Sequence, residues 1–175
     1  MQTGVSMLER FAAWLGKTPL SAFVAGQAWV VPTVQTVHIL AISVVVAGVV
    51  ILHLRVLGVI EQSQPIGDLA RRFVMPSVAA IGVLLLTGLL MIAGEPDRAL
   101  FRSVFWIKMS LLAIAMATTA LMLRGLRASP AWGDAQAAPP LLYKGLAAGL
   151  LVVWAVIMIA GRWIGYAEGW PGSPS

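Results

Sequence analysis

Cysteine is absent from the 175 residues. That excludes a disulfide, a thiolate metal site, an iron–sulfur cluster and covalent haem attachment within the chain. Charge is scarce, at 11% of residues against about 25% in an ordinary soluble domain. Histidine occurs only at His38 and His53. Serine-nucleophile, zinc-protease, P-loop and Rossmann patterns are missing, as are dense carboxylate clusters. Together these absences argue against a hydrolase, a nucleotide-driven pump, a disordered chain and a nucleic-acid-binding module.

What the chain does contain is apolar: 59% of it is hydrophobic, and mean hydropathy is +0.89. The length suits one domain. The net charge of +5 comes from Lys and Arg placed mostly at the ends of apolar stretches, as anchors for lipid headgroups rather than as a basic groove. Lys17 and Arg55 enclose 37 uncharged residues, and Arg72 and Glu95 enclose 22. The gaps predict an all-α, integral membrane four-helix bundle over residues 29–167. Its spans lie at about 29–57, 73–94, 101–125 and 141–166, each meeting the roughly 20-residue requirement for crossing hydrocarbon. In lipid such runs are helical, because every backbone polar group needs an internal partner. Pro32 falls in the first turn of the first span, where it is tolerated.

Ahead of the bundle, residues 1–28 predict one short amphipathic interfacial helix. Leu8, Phe11, Ala12 and Leu15 recur on one face, with Glu9 and Arg10 opposite, and Gly16 and Pro19 are expected to end it. The segment does not read as a cleaved signal. Residues 129–140 read as a polar, Pro/Ala-rich loop, and residues 168–175 as a flexible tail. Arg55, Arg71, Arg72, Arg124, Arg127 and Lys144 lie on one side, against Arg10, Lys17, Arg98, Arg102 and Arg162 on the other. The positive-inside rule puts the first group in the cytoplasm and both termini outside, periplasmic in a bacterial inner membrane.

The two histidines share the first span. Their separation of 15 residues is about 22 Å along a helix, with about 60° between them around its axis. They cannot bind one iron, but each can serve a separate haem near its own membrane face. Second ligands then come from a parallel dimer, His38 to His38 and His53 to His53, or from a Met or Lys of another helix. The alternative is that they are structural, bonding nearby carbonyls, and His53 beside Arg55 suits that role better. An ionisable group inside a span is a functional candidate by default. In an up-down bundle His38, Lys108, Arg162 and Met91 fall at similar depth, with Gln35 and Glu95 nearby. Two cations beside a histidine suit a haem propionate, a quinone head or a carboxylate. Equally, Lys108 and Arg162 can snorkel to headgroups. Gly48, between the histidines, allows a ring or another helix to approach closely. Most of the methionines read as core filler rather than a copper ladder. Trp29, Trp106, Trp132, Trp163 and Trp170 read as an interfacial belt.

The stretch QTVHILAISVVVAGVVILHLRVLG resembles the first helix of copper-resistance-D-like membrane proteins, and RRFVMPSVAAIGVLLLTGLLM and RSVFWIKMSLLAIAMATTALMLRGL resemble the helices that follow. The chain is also similar to the membrane-bound protoporphyrinogen oxidase family of haem biosynthesis. His38, Gly48, Thr87–Gly88 and Lys108 match the family order: a helix-one histidine, a glycine about ten residues on, a Thr-Gly in the second helix and a lysine early in the third. The likeness covers residues 30–126. It implies a four-helix membrane domain that binds haem b, with His38 and Lys108 as the positions carried over. The chain departs from those families in having no other histidine, which tells against copper transport and against two histidine ligands from one subunit. Three functional expectations follow. The first is a haem b electron-transfer module, alone, as a homodimer or as a subunit of a larger membrane complex. The second is a porphyrinogen oxidase with Lys108 catalytic. The third is a cofactor-free scaffold or copper-handling protein.

Overall fold

A computed structural model describes residues 6–163. Among these the chain forms seven α-helices and one 3-10 turn, without a strand. Four helices are long and apolar enough to cross a membrane: α3 (Val30–Leu57), α4 (Ile66–Gly94), α6 (Ser103–Leu126) and α7 (Leu141–Trp163). They form a membrane-embedded helical bundle. The end of the predicted fourth span, residues 164–166, and the predicted tail lie outside the described residues.

Two helices precede the bundle where one was expected. In α1 (Met7–Gly16) a capping box fixes the start: the Glu9 N–H donates to the Ser6 hydroxyl at 3.2 Å, and the Ser6 N–H donates to the Glu9 carboxylate at 2.6 Å. Pro19 does not merely end this helix. It occupies the first turn of α2 (Pro19–Gly26), capped by Thr18, whose hydroxyl accepts from the Ser21 N–H at 3.2 Å. Proline suits that position because its missing donor is one a helix start leaves unpaired anyway. Phe11 and Trp14 of α1 are exposed, with ring centroids 5.9 Å apart. Helix α1 packs on the short α5 (Pro96–Leu100), and α2 on α4. These three short helices mark the upper end of the bundle; the α3–α4 and α6–α7 connections mark the lower end.

Between apolar helices in lipid, association rests on close packing rather than on escape from water. The tightest seam is α3 against α4. A side chain at Gly48 would meet the Ser77 hydroxyl at 2.7 Å, so the glycine lets α4 come close. Helix α7 joins α3 through Ala147, Leu150, Trp154 and Ile157, all buried. Helix α6 leans almost wholly on α7, leaving a gap on its far side toward α4.

At the lower end α4 begins seven residues before the predicted span. The charge-gap argument locates hydrocarbon, whereas the helix runs beyond it: Ile66, Leu69 and Ala70 are buried, and Asp68 pairs with Arg71 on the wet face. The connection after α6 differs from the expected polar loop. It folds into a 3-10 turn (Pro130–Trp132), buries Ala131 and Pro139, and lays Trp132 on Gly67, with the Arg127 guanidinium 5.6 Å from the indole centroid. Buried Arg55 ties both connections together, donating to the Gln64 carbonyl at 2.8 Å and the Ala135 carbonyl at 3.1 Å. Trp132 thus serves this plug rather than an interfacial belt. The methionines also depart from expectation: Met122 fills the core, but Met75, Met109, Met116 and Met158 are exposed on the lipid-facing surface.

Candidate functional site

His38 lies in the upper half of α3, two turns in from Val30. Its ring turns toward α4, where Nδ1 lies 2.7 Å from the Thr87 hydroxyl. That hydroxyl has one proton, which it gives to the Val83 carbonyl one helical turn back, at 2.7 Å. The Thr87 oxygen therefore accepts, and His38 Nδ1 is the donor. This assigns the neutral tautomer with its proton on Nδ1 and a lone pair on Nε2. Among the described residues Nε2 has no hydrogen-bond partner. Gly88 follows Thr87 and presents no side chain to the ring; a Cβ there would just touch His38 Cε1 at 3.7 Å.

Lys108 approaches from the other helix pair. It lies a turn and a half into α6, half-buried, against Gly161 of α7, where a Cβ would stand 3.6 Å from Nζ. It makes no hydrogen bond or ion pair among the described residues. Amine and ring both lie in the upper half of the bundle, Lys108 against Gly161 of α7 and His38 against Thr87–Gly88 of α4. Arg162 follows Gly161 in sequence and is exposed. Met91, one turn beyond Thr87, is half-buried, and Gln35, one turn before His38, is exposed. The site thus centres on His38, Thr87, Gly88, Lys108 and Gly161, with Arg162, Met91 and Gln35 around it. The sequence pointed to Thr87–Gly88 as a motif and a packing position but not as the anchor of the His38 tautomer. Only the pairing of α3 with α4 reveals that.

His53 is placed quite differently. It is fully enclosed, at 0% exposure. Its Nδ1 donates to the Val49 carbonyl of its own helix at 2.6 Å. Nε2 is buried without a partner. Among the described residues no group of three or more His, Cys, Asp or Glu gathers around it or anywhere else.

The site therefore offers one imidazole with its donor engaged and its acceptor open, and one ammonium on α6 in the same half of the bundle. This set of groups can supply one metal ligand, hold an anionic group or carry a proton. No curated protein and no solved structure matches the chain. Residues 11–167, which contain every helix of the bundle, match a family of unknown function (DUF6644), and the chain belongs to that family.

Proposed function

We propose that the upper half of the bundle is a haem b site and that the protein is a redox module passing electrons within a bacterial inner membrane. The single observation that supports this most is the His38–Thr87 pair. An imidazole that ligates iron donates its other ring N–H to a fixed partner, which sets the tautomer and the ring plane. Thr87 supplies that partner, and Nε2 carries the open lone pair. The residues fit a haem in two further ways. Gly88 and Gly161 keep side chains away from the ring and the amine, and Lys108 provides a cation for a propionate, with Arg162 beside it. Bound there, haem b would supply one-electron chemistry. His38 would ligate it through Nε2, Thr87 would fix the orientation of that imidazole, and Lys108 would hold its carboxylate charge. Met91, or His38 of a second copy, would be the candidate for a further ligand.

A second reading draws on Lys108, which has no carboxylate partner among the described residues. An ammonium at this depth is costly unless its charge is met, and a tetrapyrrole substrate with carboxylate arms would meet it. In that reading the chain acts on a porphyrinogen, with Lys108 binding and orienting it beside His38.

The test is a reduced-minus-oxidised visible spectrum of detergent-purified protein. A Soret band is expected that disappears in His38→Ala, persists in His53→Ala, and shifts in Thr87→Val while Thr87→Ser restores it. A band lost only in His53→Ala, or no band after haem supplementation, overturns the proposal. Porphyrinogen oxidation that depends on Lys108 would select the second reading.

A further inference from the structure

The lower end of the bundle carries six cations, and the protein itself engages several of them. Buried Arg55 donates to the Gln64 and Ala135 carbonyls. Arg71 pairs with Asp68. The Arg127 guanidinium lies over the Trp132 ring. Arg72 and Arg124 are different: both are exposed, and neither has a carboxylate partner among the described residues.

These two arginines stand at the same place in the fold, the lower end of a cleft of about 170 Å³ between α4 and α6. On α4 the cleft runs from Phe73 to Ile81, and on α6 from Leu123 back to Met116. That is about 12 Å along the bundle at 1.5 Å per residue. Arg72 immediately precedes Phe73, and its guanidinium lies 5.8 Å from the centroid of that ring, which is itself a wall of the cleft. Arg124 immediately follows Leu123 and lies one helical turn beyond Ala120, so it shares the face of α6 that carries the rim. Lys144, the remaining cation, starts α7, which gives the cleft only Trp154.

The cleft above the arginines opens sideways to lipid, because Val78, Met116 and Ala120 on its rim are exposed. Cations at the end of a span meet the headgroup level, and an apolar groove beside them meets hydrocarbon. One molecule has both parts in that order, an anionic phospholipid. Guanidinium N–H donors pair with phosphate oxygens. A cavity of about 150 Å³ holds one benzene ring, so this volume takes an acyl chain and not a helix of about 10 Å diameter. A free phosphate would leave the groove unfilled, and a zwitterionic lipid brings an ammonium of its own toward the arginines.

We propose that the lower end of the α4–α6 cleft binds one anionic phospholipid, with its phosphate held by Arg72 and Arg124 and one acyl chain in the cleft. This site lies at the opposite end from His38 and does not depend on what His38 holds.

The test titrates the full chain, in non-ionic detergent, with dioleoyl phosphatidylglycerol or dioleoyl phosphatidylcholine and reads retained lipid by native mass spectrometry. One phosphatidylglycerol per chain is expected, with phosphatidylcholine retained at least fivefold less. Arg72→Gln and Arg124→Gln should each lower phosphatidylglycerol retention about fivefold. Arg71→Gln removes another exposed arginine from the same helix and should change it less than twofold. Ala120→Phe narrows the cleft, keeps both arginines and should also lower retention about fivefold. Equal retention of the two lipids overturns the proposal, as does a loss in Arg71→Gln as large as in Arg72→Gln, since charge at large would then suffice. Retention untouched by Ala120→Phe overturns it too, because the headgroup alone would then be held. A stable dimer that retains no lipid would give the cleft to a second copy and end the proposal.

Discussion

His38 and His53 sit on one helix and both engage Nδ1, yet the partners divide their roles. His38 donates across a helix seam to Thr87, whereas His53 donates to a carbonyl of its own helix. The first bond orients a ring relative to another element; the second only accommodates a polar side chain among apolar ones. The orphaned Nε2 of His53 is then a burden, because a buried polar atom without a partner costs about 1–3 kcal/mol. Replacing the imidazole with an apolar group of similar volume removes that cost, so His53→Leu should leave the thermal unfolding midpoint in detergent unchanged or raise it. A large drop in that midpoint would show that Nε2 has a partner worth keeping. Neither outcome could be read from the sequence, where a histidine inside a span gives its depth and nothing about its neighbours.

At the scale of the element, the lower plug is the feature whose loss is easiest to measure. Gly67 lies beneath Trp132 so closely that an added Cβ would stand 2.7 Å from both the indole nitrogen and the Trp132 carbonyl oxygen. Backbone atoms have little room to give, and overpacking of this kind costs about 1–3 kcal/mol. Gly67→Ala should therefore loosen residues 127–140 and raise their hydrogen exchange, with little effect at α2. The spans themselves were legible, since the spacing of Lys17, Arg55, Arg72 and Glu95 marks where charge cannot go. The plug was not, because its Pro, Ala and Gly residues carry no periodicity and its one strong cue, Trp132, has an equally good interfacial explanation. The facing of the helices was hidden for a related reason: lipid and protein neighbours are both apolar, so a spanning helix shows little pattern around its circumference. Trp154 is the exception that could have been noticed, a tryptophan set in mid-span where an interfacial belt has no use for it.

For the whole molecule, the bundle has distinct ends. Six cations belong to the plugged end and five to the opposite one, which favours the plugged end as cytoplasmic by the positive-inside rule. The native chain lacks cysteine, so single-cysteine variants report without background. Ser63 at the plugged end and Ser103 at the other are both exposed. With a membrane-impermeant maleimide on intact spheroplasts, Ser103→Cys should react at once and Ser63→Cys only after permeabilisation; the opposite pattern would invert the assignment and place the His38 site on the cytoplasmic side.

The lean of α6 on α7 also matters during synthesis. As the chain leaves the ribosome, its third crossing enters the bilayer with no neighbour to dock on, because α3 and α4 have already closed against each other. Until Leu141 and the residues after it arrive, that crossing stays in the care of the insertion machinery, and a message cut short before this point would leave an orphan segment for quality-control proteases.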